Sequence, residues 1–262
     1  MIKANPKYLS ALKAQTEINR RRLLDGDWLA VPEGSQMMER RFFNKIDKLP
    51  EGTYTEARAW DFASEEPSDK NRSPDYTTSI KMRKYRDGSI VLLGDFEEDS
   101  LDPKTQVYGR YRLRSGARDN AILRQAEMDG KGCTLCLAVD PASSGKFQWQ
   151  AQAKFFGAEG FIVKPDPMPN NKSKVQKLEP FATSLQNGLI YIYEKSFRNK
   201  QTIEAFYRDL EKFDGSRSSS TYKDDVPDVC GSCYNYIITG RVRRPMSAGQ
   251  ATSSSLAQYR RG

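Results

Sequence analysis

Hydrophobic and polar residues alternate most cleanly from Tyr76 to Tyr85, and Ser89 to Phe96 reads as the next strand. Alternation with a period of two lays one face of a strand on a core. Arg86-Asp87-Gly88-Ser89 joins the two runs, and Asp-Gly between two strand-like runs predicts a hairpin. Tyr54 to Phe62 reads as an earlier strand, separated from the hairpin by a polar loop over residues 64–75. Downstream, helical spacing of apolar residues predicts helices over residues 117–129, Ser143–Phe156, Val175–Gln186, Lys200–Phe213 and Asp225–Ile238. Short apolar runs lie between them at Thr134–Val139, Gly160–Lys164 and Leu189–Tyr193. All three read as strands, and the first suits one buried on both faces. A basic segment over residues 5–24 predicts one more helix, and residues 30–51 read as irregular chain. Residues 165–173 and 214–220 read as loops, and the Arg/Ser/Gly-rich stretch beyond Gly240 as disordered. The order predicts an α/β fold. Its mixed sheet has three antiparallel strands first and parallel βα units after, with helices on both faces.

Composition narrows the chemistry. The chain has 262 residues, 37% of them hydrophobic, a mean hydropathy of −0.74, a net charge of +8 and a pI near 9.2. A basic balance favours a polyanionic partner, nucleic acid first, although it also serves plain solubility. No apolar run approaches the roughly 20 residues of a membrane helix, and no signal-peptide pattern opens the chain. A soluble intracellular protein is expected. Histidine is absent, which removes Ser-His triads, His-ligated zinc and histidine general bases.

Two familiar motifs fail on inspection. Cys133/Cys136 and Cys230/Cys233 form CxxC pairs, but the first lies in a strand-like run and the second on a predicted helix. Residues three apart on a strand face opposite ways, so buried reduced thiols are expected rather than a zinc site. Ser143-Ser144-Gly145-Lys146 resembles the end of a phosphate-binding loop, yet Asp140 stands where the first Gly belongs and Phe147 where Ser or Thr belongs.

The remaining chemistry is acidic. Asp61 follows Ala-Trp at the end of the first long strand, Asp140 follows a buried strand directly, and Asp224, Asp225 and Asp228 open the last helix. Ligands of open α/β sheets gather at such strand ends. Asp225 and Asp228, three apart, share a helix face. Converging carboxylates suit hard divalent cations such as Mg2+ or Mn2+, and a pair of ions needs several of them. Asp140-Pro141 equally reads as a turn or N-cap, and the late cluster equally complements a helix dipole. Asp61 has no comparable structural reading. Lys146, Lys172, Lys174 and Lys177 are candidate phosphate contacts, or a solvated basic surface.

Five ordered segments carry a resemblance. They are Arg58–Ala63, Ser73–Thr78, Val139–Lys146, Lys174 through Tyr191, and Lys223–Asp228. In order and spacing the set resembles the nuclease domain of tailed-phage large terminase subunits, over about residues 53–240. Asn5–Leu9 and Arg21–Trp28 resemble the segment that joins the motor ATPase to that nuclease. Two departures stand out: Ser173 precedes Lys174 where the family often has Asp, and Pro227 sits inside the last motif.

The resemblance implies a ribonuclease H-like fold. It implies residues 1–50 as a linker from an absent motor domain, 51–240 as the nuclease and 241–262 as a basic tail. It also implies two-metal hydrolysis of double-stranded viral DNA concatemers during packaging, with two Mg2+ or Mn2+ ions. Asp61, Asp140, Asp225 and Asp228 are then the ligands, with Asp224 a further possibility. Portal protein, small terminase subunit and motor ATPase are the implied partners, and the host cytoplasm the implied place of action. Two other readings stand beside this one: a DNA- or portal-docking module with negligible activity of its own, and a resolvase- or transposase-type nuclease.

Overall fold

The structure is a computed structural model that describes residues 6–15, 20–21, 23–26, 37–62, 69, 72, 75–94, 110–139, 143–167, 173–197, 199–213 and 223–239. Its strands are β1 (Asn44–Lys45), β2 (Tyr54–Asp61), β3 (Thr77–Tyr85), β4 (Ile90–Leu93), β5 (Arg110–Tyr111), β6 (Thr134–Leu137), β7 (Val163–Pro165) and β8 (Ile190–Tyr193). Its helices are α1 (Pro6–Lys13), α2 (Ser115–Asp129), α3 (Ser143–Ala158), α4 (Lys174–Gln186), α5 (Lys200–Glu211) and α6 (Asp225–Thr239). The sheet order is β1-β8-β4-β3-β2-β6-β7, with β5 pairing β3. β2, β3 and β4 pair antiparallel, whereas β2–β6, β6–β7, β4–β8 and β1–β8 are parallel. This is the expected mixed sheet, and β2 lies inside it with partners on both edges.

Two predictions of detail change. Residues 30–51 were expected to be irregular, but Arg40–Phe42 forms a 3-10 turn and Asn44–Lys45 adds β1 to the edge of the sheet. Met37, Met38 and Phe43 of that stretch are buried in the main core. β5 was not anticipated. A strand of two residues offers no periodicity to read, so neither β1 nor β5 shows in the sequence pattern. The first helix is helical over Pro6–Lys13 and at residues 20, 21 and 23, and the predicted tail beyond Gly240 lies outside the described residues.

Strand alternation divides the core. Ala59, Ile80, Met82 and Cys136 face one way, into a cluster with α4, α5 and α6. Trp60, Leu135 and Leu137 face the other way, onto α2 and α3 through Ile122, Ala126 and Phe156. Helices thus cover both faces. All four cysteines are buried as free thiols.

One group of buried charges ties β2, β3 and α2 together. Arg58 is fully buried, and its Nε and Nη2 donate to Asp129 Oδ2 and Oδ1 at 2.5 and 3.0 Å. Lys81 Nζ donates to the same Oδ1 at 2.7 Å, and Arg58 Nη1 donates to Ser79 Oγ at 3.2 Å. Burial alone would push the Asp129 carboxyl up, but Arg58 and Lys81 outweigh it and hold the group below its ordinary 3.8.

Asp129→Asn leaves two buried cations without their counter-charge. Removing one partner of a buried pair costs about 3–5 kcal/mol, and urea unfolding at pH 7 should show a loss of that size. A carboxyl depressed in the folded state stabilises it above the ordinary 3.8 and loses that contribution as pH falls through and below 3.8. The acid limb of the stability profile should therefore be shallower in the variant. A loss under about 1 kcal/mol would mean that the triad is not a structural anchor.

Candidate active site

The site begins with the alternation of β2. Ala57, Ala59 and Asp61 share one face, because they are two apart. Ala57 and Ala59 are fully buried on the side covered by α6, where Cys233 Sγ approaches the Ala57 carbonyl at 3.3 Å. The same periodicity carries Asp61, the last residue of the strand, to the beginning of α6. There Asp225 and Asp228 occupy the first helical turn, whose dipole favours negative charge. Pro227 is accommodated in that turn, since a first-turn N–H has no helical acceptor to lose.

α4 supplies the opposite charge. Ser173 caps it through a reciprocal pair of bonds with Gln176, so Lys174 starts the helix in a fixed position. α4 lies tight against α6 at Gly231. A Cβ there would meet Leu178 Cδ1 at 3.3 Å and the Lys177 carbonyl oxygen at 3.5 Å. Asn235 Nδ2 donates to that same carbonyl at 2.9 Å. Lys174 and Lys177 are thereby held over the acidic end of α6.

A cavity of about 180 Å3 opens between these elements, lined by Asp61, Asp166, Asp228, Lys174, Lys177 and Ser232 among others. A second recess of about 390 Å3 adjoins it between α2 and α3, and both include Asp61, Ala138 and Val139 in their walls. Lys174 Nζ donates to Asp224 Oδ2 and, at 2.8 Å, to Asp228 Oδ2. The Phe62 N–H donates to Asp61 Oδ1 at 3.0 Å. Burial raises the Asp61 carboxyl well above its ordinary 3.8, and the like charges of Asp228 and Asp225 raise it further against the opposing pull of Lys174. Burial also raises Asp228, with Lys174 again opposing. Lys174 is raised in turn, because Asp228 and Asp224 outweigh its own desolvation.

Asp61, Asp225 and Asp228 lie within electrostatic reach of one another, with Asp228 on the cavity wall and Asp225 buried. Asp140 and Lys172 lie outside the described residues. Lys174 and Lys177 line the cavity, whereas Lys146 is exposed on α3 and does not line it. Asp224, left open by the sequence, is buried and paired with Lys174. Sequence reasoning passed over Asp166. It follows β7 directly, its N–H donates to the Leu137 carbonyl, and Ser232 Oγ donates to its side chain. The available signal was the one used for Asp140, a carboxylate just past a parallel strand.

Does this arrangement suit a divalent ion? Among the described residues, no three acids or thiols are grouped closely enough to hold a metal by themselves. The donor chemistry does fit. The groups are hard carboxylate oxygens, and the Asp61 carboxyl is raised by burial and by the charges of Asp228 and Asp225, a repulsion that bound divalent charge relieves.

Gly231→Val tests the packing that sets this geometry. The added branches crowd Leu178 and the Lys177 carbonyl. Overpacking of this kind costs about 1–3 kcal/mol, and urea unfolding should report it. An unchanged midpoint would mean that α4 yields freely there.

Residues 58–236 match the family of the terminase RNaseH-like domain. No curated protein matches the sequence. Among solved structures, the large terminase nuclease from thermophilic phage G20c is 14% identical with a TM-score of 0.44, over 77% of this chain and 98% of that one. The human cytomegalovirus terminase nuclease domain, soaked with Mn and bound to an inhibitor, is 10% identical with a TM-score of 0.47, over 78% and 97%. The Thermus phage P74-26 large terminase nuclease domain is 15% identical with a TM-score of 0.39, over 74% and 90%. With the family match spanning the strand that ends in Asp61, the α4 lysines and the acidic turn of α6, this chain belongs to the terminase RNaseH-like domain family.

Proposed function

We propose that this protein is a metal-dependent endonuclease that cuts double-stranded viral DNA concatemers during genome packaging, in the host cytoplasm and with little sequence preference. The observation that carries this reading is the meeting of Asp61 and Asp228 on one cavity wall, with Asp225 in electrostatic reach, in a chain without histidine. Asp61, Asp140, Asp225 and Asp228 are the residues that would hold two Mg2+ or Mn2+ ions. Such ions, when bound, lower the pKa of water and neutralise charge on the oxygens around a phosphorus.

The chain's own residues do the rest. Asp61 sits at the end of a strand paired on both edges, so its carboxylate is positioned by backbone hydrogen bonds rather than by a loop. Lys174 and Lys177 place positive charge on the same wall, where a phosphate would be held without its base being read. Lys146 and Lys172 would extend that track. Residues 1–50 would serve as the linker from a motor ATPase, 51–240 as the nuclease and 241–262 as a basic tail. The small terminase subunit and the portal would be partners in the packaging complex.

Asp61→Ala should abolish plasmid cleavage in Mn2+ while duplex affinity, read by fluorescence anisotropy, stays within about threefold. Undiminished cutting by that variant would remove Asp61 from the mechanism. A wild-type chain that binds DNA with a steep salt dependence yet cuts at no Mn2+ concentration would favour the docking module. Strong preference for a cruciform over a linear duplex would favour a resolvase-type enzyme.

A further inference from the structure

The acidic cavity already contains a cation of the chain's own. The Lys174 side chain is 39% exposed, yet its Nζ reaches inward to Asp224, which is 3% exposed, and to Asp228 at 2.8 Å. This differs from a surface ion pair, in which both partners remain hydrated. The backbone on each side is fixed, by the Ser173–Gln176 cap on α4 and by the bond from Asn235 to the Lys177 carbonyl. Only the flexible four-carbon stem of Lys174 can move much. Asp228 shares the cavity wall with Asp61. A divalent ion accepted by these two carboxylates would meet the ammonium at Asp228, and the two cations would repel each other at contact distance. The two therefore compete for the charge of one carboxylate.

We propose that Lys174 is a stand-in cation: it holds the acidic cluster together while no metal is bound and releases Asp228 to an incoming divalent ion. Its freed ammonium then takes a phosphate oxygen of the nucleic acid. Lys174 is thus a positioning residue whose two partners alternate. The exchange couples metal binding to DNA binding in one side chain. This inference rests on the metal-dependent reading above.

Isothermal titration of the whole chain with Mn2+ tests it, on wild type, Lys174→Met, Lys174→Arg and Asp61→Asn. Lys174→Met should bind Mn2+ at least about tenfold more tightly than wild type, because no resident cation has to leave. In EDTA it should melt at a lower temperature than wild type, and Mn2+ should raise its Tm by more. Lys174→Arg should bind within about threefold of wild type, since a guanidinium can hold the same carboxylates. Anisotropy with a short duplex, using Ca2+ as the probe ion, gives the second half: Ca2+ should strengthen DNA binding by wild type, and Lys174→Met should lose most of that gain. Should Lys174→Met not fold without metal, Lys174→Gln, which keeps a donor towards Asp224, carries the same expectations.

Mn2+ binding by Lys174→Met equal to or weaker than wild type overturns the exchange. If Asp61→Asn meanwhile loses Mn2+, the metal-dependent reading survives alone. A full Ca2+ gain in Lys174→Met overturns the handover to phosphate. No saturable Mn2+ binding by any of the four proteins overturns the inference and the reading beneath it together.

Discussion

Gathering carboxylates at the buried end of a strand is the electrostatic problem that this protein has to solve. Desolvation is the largest influence on Asp61, ahead of the repulsion from Asp228 and Asp225. Such a group cannot remain charged at neutral pH without compensation. Three features oppose the cost. The Phe62 N–H donates to Asp61, the α6 dipole favours acids in its first turn, and Lys174 supplies a full charge. Their sum is incomplete, since the Asp61 carboxyl still sits well above its ordinary value.

The opposite face of the same two strands shows what full compensation looks like. Asp129 is as deeply buried, but it receives two donors from Arg58 and one from Lys81. Its carboxyl ends below the ordinary value, not above it. That triad is closed and needs nothing more. The Asp61 side adjoins two open cavities and is short of positive charge. Two acidic sites in one sheet, with comparable burial and opposite shifts, separate a structural ion group from one built to receive a further cation.

The strands that could be read in advance are those long enough to show a period. β3 alternates and is joined by Asp87-Gly88 to the apolar run of β4, and Gly88 takes the positive φ of 93° that such a turn requires. The end of α4 at Gln186 was equally plain. β1 and β5 were not, because two residues carry no period and their pairing is decided by β8 and β3 far along the chain. The Arg58–Asp129–Lys81 group was invisible for the same reason: 71 and 48 positions separate its bonded pairs. Within the site, the acids of β2 and α6 were readable as charges at element ends. Which acid of the last cluster faces the cavity was not, because that depends on how α6 is rotated against β2.

One rule accounts for several of the charges gathered at the site. In β2 the buried positions Ala57 and Ala59 continue, two residues on, into Asp61. In α6 the buried positions Cys233 and Val229 continue back, at intervals of four, to Asp225. In α4 the core residues Phe181 and Leu178 lead back to Lys177 and Lys174. Each element runs its core-facing stripe one step past the core and ends that stripe in a charge. Charges at single element ends are ordinary and belong to caps and dipoles. Here the stripes of three elements packed on one core end beside one another: Asp61, Lys174 and Lys177 reach the cavity wall, Asp225 ends buried within electrostatic reach of Asp61, and Asp228 joins the wall from the neighbouring face of α6. The site is therefore specified by core packing, and the opposite signs of β2 with α6 against α4 make the meeting tolerable before any ligand arrives.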